Sequence, residues 1–187
     1  MKIWSVQTTE VYQEVKEKGI YQPDFEKSFF TAEISALKEL YDFTLKAFNH
    51  VNNTDLPGLI FGFCMSNETS ITPIPDYRTF YQMIQIARPA IESLWKKLLK
   101  RETSVIMELD YPDTFDGIFL DINDFQFLMP PIIVSYPYRE EDVERICSEM
   151  MQGIAPVPVM PSGVTQVHAP FIRAENMTAM YPMFEFI

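Results

Sequence analysis

Apolar positions along the chain change their period several times, and each change marks an element. Ile3 to Val6 is a short apolar run that reads as a first strand. Thr8 or Thr9 can then cap a helix beginning at Glu10. A threonine hydroxyl accepts from the free amides of the first turn, and Glu10 and Glu14 suit the positive end of the helix dipole. Val11 and Val15, four residues apart, give that helix one buried face, and Gly19 supplies a left-handed stop. Over Thr31 to Asn49 the apolar positions Ile34, Leu37, Leu40, Tyr41, Leu45 and Phe48 keep three-and-four spacing, which predicts a longer helix. Asn52-Asn53-Thr54-Asp55 and Pro57-Gly58 end it with turn chemistry. Leu59 to Met65 reads as a buried strand. Tyr77 to Lys100 is helical again, and Pro89 either kinks it or opens a new helix.

The second half is richer in strands. From Ser104 to Asp110 the pattern alternates, with Val105, Met107 and Leu109 on one side and Ile106 and Glu108 on the other. A turn at Asp113 to Gly117 leads to Ile118-Phe119-Leu120, which reads as its hairpin partner. Phe125 to Leu128 and Ile132 to Tyr136 are further strands. Arg139 to Gln152 reads as a helix with Val143, Ile146, Cys147 and Met150 inward, stopped by Gly153. Pro156, Pro158 and Pro161 make residues 153–163 an extended connector, and Val164 to Ile187 mixes strand-like runs with Met177, Met180 and Met183. A chain of 187 residues suits one domain with a full core. The expectation is a single α+β domain over residues 1–187, with a mostly antiparallel sheet and about four helices.

Composition narrows the class. Apolar residues make up 47% and charged residues 22%, which excludes wholesale disorder. The longest apolar runs, such as Pro130 to Val134, are far shorter than the roughly 20 residues of a membrane span. The opening Met1-Lys2-Ile3-Trp4-Ser5 lacks the two regions of a secretory signal. Cys64 and Cys147 are too few for a disulfide framework or a cysteine zinc site, so a cytoplasmic address with reduced thiols is expected.

Charge changes the picture more. The net charge is −11, and residues 101–150 hold 3 Lys/Arg against 12 Asp/Glu. Residues 1–100 hold 11 against 12, and residues 151–187 hold 1 against 2. One stretch thus carries nearly all the excess, and it argues against direct nucleic-acid binding through that face. Such a face is steered toward a basic protein surface, or else only aids solubility. Glu108, Asp110, Asp113, Asp116, Asp121 and Asp124 are its candidate contact acids, with Tyr111, Phe115 and Phe119 as aromatic anchors.

Other chemistry is weakly represented. No Gly-Lys-Ser/Thr loop or dinucleotide fingerprint occurs. Asp110, Asp113 and Asp116 are spaced by three where a calcium loop needs two, so an acidic turn is the simpler reading and no metal site is expected. Glu108 and Asp110 could share one strand face as in metal-dependent nucleases, but no lysine follows Lys100. His50 and His168 are the only histidines. Cys64 and Cys147 sit in apolar settings that suit core residues better than nucleophiles.

Three resemblances follow from these residues. The opening Ile3-Trp4-Ser5-Val6-Gln7-Thr8, a short helix and Gly19, then the Tyr77 to Arg88 helix and the strand pair Val105 to Asp121, resemble a bacterial domain-of-unknown-function family over roughly residues 1–130. That likeness implies no activity. The strand, capped helix and glycine before a strand-rich half also resemble the ADP-ribosyltransferase-type fold. It would imply NAD binding near Gln7 and Tyr81 or Tyr77, with Glu175 or Glu185 as the late acid. Where such enzymes place a His or Arg on the first strand, this chain has Gln7 and Thr8. In style the chain is similar to small acidic phage and mobile-element inhibitors, including anti-CRISPR proteins. The expectation is therefore a non-enzymatic, cofactor-free inhibitor that docks on a basic surface of a nucleic-acid-handling enzyme; the alternative is an NAD-using, ADP-ribosyltransferase-like enzyme.

Overall fold

The alternation in the first eight residues is used on both sides of a sheet. Strand β1, Lys2–Thr8, sends Trp4 and Val6 to one face and Ile3 and Ser5 to the other, and all four are buried. The Thr8 hydroxyl accepts from the Val11 N–H at 3.2 Å and caps helix α1, Thr9–Lys18, one residue ahead of Glu10. Val11 and Val15 are its buried residues, and Gly19, at φ +78°, closes it in the left-handed conformation while its N–H bonds the Val15 carbonyl.

The computed structural model describes residues 1–27, 35–66, 70–87, 102–121, 127–128, 132–133, 148 and 163–184. Two further α-helices lie among them, α2 over Ser35–Asn52 and α3 over Tyr77–Ala87. Asp76 caps α3 by accepting from the Thr79 N–H at 2.8 Å, and that bond holds its carboxyl below the usual range. The described residues thus contain three α-helices where about four were expected. The helix expected over residues 139–152 lies outside them, except for helical Ser148.

The remaining strands are β2 (Ile20–Tyr21), β3 (Ile60–Ser66), β4 (Ile71–Thr72), β5 (Ser104–Asp110), β6 (Ile118–Asp121), β7 (Phe127–Leu128), β8 (Ile132–Ile133), β9 (Val164–Ala169), β10 (Ile172–Arg173) and β11 (Met177–Pro182). The main sheet runs β11-β5-β1-β3-β9-β6, with β4 also beside β3, and every pair is antiparallel. Strands β10–β2 and β7–β8 form two small ladders. The hairpin expected between β5 and β6 does not form. Both edges of β5 are taken, by β1 and β11, and β6 pairs with β9 at the far edge.

Helices α2 and α3 cover one face. Trp4, Val6, Phe63, Ile106 and Val164 pack against Phe80 and Ile84 of α3 and against Met183 and Phe184. Trp4 stacks on Phe80 at 5.7 Å and donates its indole N–H to the Ile74 carbonyl at 2.9 Å. Further along this face Phe61 meets Phe25 and α2's Tyr41 and Phe48. On the other face Ile3, Cys64, Met107, Leu109 and Val167 pack against Val11 and Val15 of α1, and against Tyr111 and Ile172. Gly62 lets β3 approach β1 closely: a Cβ there would lie 2.8 Å from Ile3 Cδ1 and 3.2 Å from the Trp4 carbonyl oxygen.

Two connectors cross this second face. Residues 111–117 leave β5 where Leu109 pairs with Ile3 and Met177, and arrive at β6 where Ile118 pairs with His168. Residues 170–176 make the reverse journey, from β9 to β11. Among the described residues no helix is long and apolar enough to cross a membrane.

Candidate functional site

The acids of the second half separate in space. Glu108 is only 9% exposed on the Trp4 face of β5. Its carboxylate sits 2.8 Å from Lys2 Nζ and accepts from the Thr178 hydroxyl at 2.8 Å, so it ties β1, β5 and β11 together. The bond to Glu108 raises the Lys2 pKa, against a smaller lowering by burial. Asp121 is buried on β6. Asp124 lies outside the described residues. Asp110, Asp113 and Asp116 are exposed. The Met1 α-amino group lies 3.3 Å from an Asp110 oxygen and 3.1 Å from one of Asp113, and also donates to the Tyr111 carbonyl. Asp116 forms no ion pair among the described residues.

Tyr111 pins the first connector. Its ring is 3% exposed, its N–H bonds the Met1 carbonyl at 2.9 Å, and its hydroxyl donates to the Phe171 carbonyl at 2.6 Å. Burial pushes the phenol pKa up. Phe115 stacks on Tyr111 at 4.6 Å, and Phe119 meets Phe115 edge-on at 5.8 Å. Both are partly buried.

A cavity of about 360 Å³ opens beside this aromatic stack. The first connector contributes Tyr111, Phe115 and Asp116, and the C-terminal end of α2 contributes Phe48 and Asn52. The second connector contributes Phe171, Arg173 and Glu175. The Arg173 guanidinium lies over the Phe171 ring, 4.8 Å from its centroid. Three residues expected at a site, Tyr111, Phe115 and Asp116, are therefore brought together here. Sequence reasoning missed Arg173, Asn52 and Phe171. One signal pointed to Arg173: it is the only cation after residue 150.

The residues of the NAD alternative are kept apart. Gln7 donates to Ser5 Oγ at 2.8 Å, and Ser5 Oγ donates to the Phe61 carbonyl at 2.6 Å, which places Gln7 on the Ile3 face. Tyr81 lies with α3 on the Trp4 face, its ring 4.6 Å from Phe184, and Tyr77 stacks on Tyr181 at 4.9 Å. Glu175 lines the cavity, and Glu185 is outside the described residues.

His168 and Cys64 occupy opposite faces as well. His168 is fully buried with Phe61 edge-on at 5.0 Å, and burial pushes its pKa down to about 3. Cys64 packs with Ile3, and burial pushes its thiol up to about 12. His50 is exposed near the end of α2, and Cys147 lies outside the described residues. Among the described residues no group of three His, Cys, Asp or Glu side chains could hold a metal ion. Comparison of the chain with protein-family models, with curated proteins and with solved structures finds no match.

Proposed function

We propose that the chain is a non-catalytic interaction protein that docks its acidic connector on a basic surface of another protein. The partner in this reading is a nucleic-acid-handling enzyme whose basic groove is blocked, the mode of action of anti-CRISPR-type inhibitors. One observation carries the reading. Three exposed carboxylates, Asp110 at the end of β5 and Asp113 and Asp116 on the connector held down by buried Tyr111, stand within seven residues. Carboxylates presented on a fixed segment lose little conformational freedom on binding, and their field steers encounter with a positive groove. Phe115 and Phe119, partly buried beside them, supply apolar contact area. Glu108 and Asp121 contribute charge at long range only, because both are buried.

The test is competition. The protein is titrated into a panel of nucleic-acid-binding nucleases carrying fluorescent duplex DNA, and anisotropy follows release of the duplex. Release from at least one enzyme is expected, with an apparent affinity that falls as salt rises. The triple variant D110K/D113K/D116K is expected to weaken release at least about tenfold. No release across the panel, or release indifferent to the triple reversal, would overturn the proposal.

A further inference from the structure

The cavity between the two connectors shares Phe115 and Asp116 with the docking face and adds residues that docking on a basic surface does not use. Its accessible walls are the half-buried rings of Phe115 and Phe171, with Tyr111 and Phe48 of α2 buried behind them. Three charged side chains join that lining, and none of them has an ion-pair partner among the described residues. They are Arg173 on one side of the account and Asp116 and Glu175 on the other, all exposed. The Asn52 amide also lines the cavity, and its Nδ2 is buried without an acceptor. At about 360 Å³ the cavity falls within the size range of small-molecule sites.

The two signs of charge decide the ligand class. A plain cation would meet Arg173, and a plain anion would meet Asp116 and Glu175. A purely apolar ligand would leave all three without partners. A zwitterion satisfies both signs at once, and the aromatic walls require an apolar body of ring size. We propose that this cavity binds a free α-amino acid with an aromatic side chain. The ring stands against Phe115 and Phe171, the carboxylate meets Arg173, and the ammonium group meets Asp116 and Glu175. The site does not depend on the docking reading, since Asp110 and Asp113 are not part of its lining.

Calorimetric titration of the whole protein with three probes tests this. L-phenylalanine carries both charges, L-phenylalaninamide lacks the anion, and N-acetyl-L-phenylalanine lacks the cation. Saturable binding of phenylalanine is expected, with each of the other two weaker by at least about tenfold. R173M should abolish the preference for phenylalanine over its amide. D116N/E175Q should likewise erase the preference over the N-acetyl compound. All three substituted side chains are exposed, so the fold is expected to survive. The outcomes that overturn the proposal are equal binding of the three probes, which would mean a plain apolar hole, and no saturable heat from any probe at millimolar concentration. Both leave the competition assay with D110K/D113K/D116K unaffected, so the two ideas fail separately.

Discussion

At the scale of single residues, burial assigns roles that side-chain type does not. His168 has no exposed surface, and its Nε2 lies 2.7 Å from the Gln166 amide nitrogen, so that ring nitrogen is the acceptor and the ring is neutral. Burial lowers its pKa from 6.5 to about 3. The unfolded chain therefore binds this proton more readily, and stability falls as pH drops from 6.5 toward 3, by about 1.4 kcal/mol per pH unit from this residue. Urea unfolding between pH 6 and 4 should show a shallower loss in His168→Gln; an equal slope would assign the acid sensitivity to the carboxylates. Glu108 makes the same point. In the sequence it reads as one acid of a charged run, whereas its partner Lys2 stands 106 positions away and is joined to it only through strand register. Lys2→Met should destabilise by about 1–3 kcal/mol, because a carboxylate at 11% exposure is left with Thr178 alone. Adding Glu108→Gln should recover most of that loss in denaturant titrations, and failure to recover would sink the account.

At the scale of elements, legibility tracks how local the deciding interactions are. Helix α1 could be read almost to the residue because its cap, buried valines and glycine stop lie within twelve positions of one another. Those devices have measurable weights. Thr8→Ala should lose about 1 kcal/mol with the Val11 cap bond. At Gly19 a Cβ would meet nothing within 4 Å, so Gly19→Ala should lose about 1 kcal/mol from its positive φ alone. Thermal unfolding of both variants checks this, and an unchanged midpoint for Gly19→Ala would contradict the left-handed cap. Strand β5 was equally legible, since Val105, Met107 and Leu109 do face opposite Ile106. Its neighbours were not. Asp113 to Gly117 carries turn residues, and turn residues announce a change of direction without naming the strand that receives the chain. The chain turned onto the sheet face and crossed it.

Over the whole molecule, the cavity shows the same limit. Tyr111, Phe115 and Asp116 stood out as aromatics beside an acid, but Phe48 and Arg173 join them only through crossing connectors and the end of a distant helix. The net charge of −11 acts at this scale too, through self-repulsion of the compact state. The melting temperature at pH 7 should therefore rise between 10 mM and 300 mM sodium chloride; a fall would mean that internal ion pairs outweigh the repulsion. Strand order has a further consequence, one in time. Along β11-β5-β1-β3-β9-β6 no two adjacent strands are consecutive in the chain, so the sheet is assembled almost wholly from distant partners. Such topologies fold slowly. The outer edge of β5, where Val105, Ile106, Met107 and Leu109 are interrupted only by Glu108, waits for β11, which is synthesised roughly 70 residues later. At 5–20 residues per second that edge stays open for about 4–14 s on the ribosome. During that interval a nascent chain offers neighbouring chains an unpaired, mostly hydrophobic strand, and protection there falls to chaperones or to wide spacing between ribosomes.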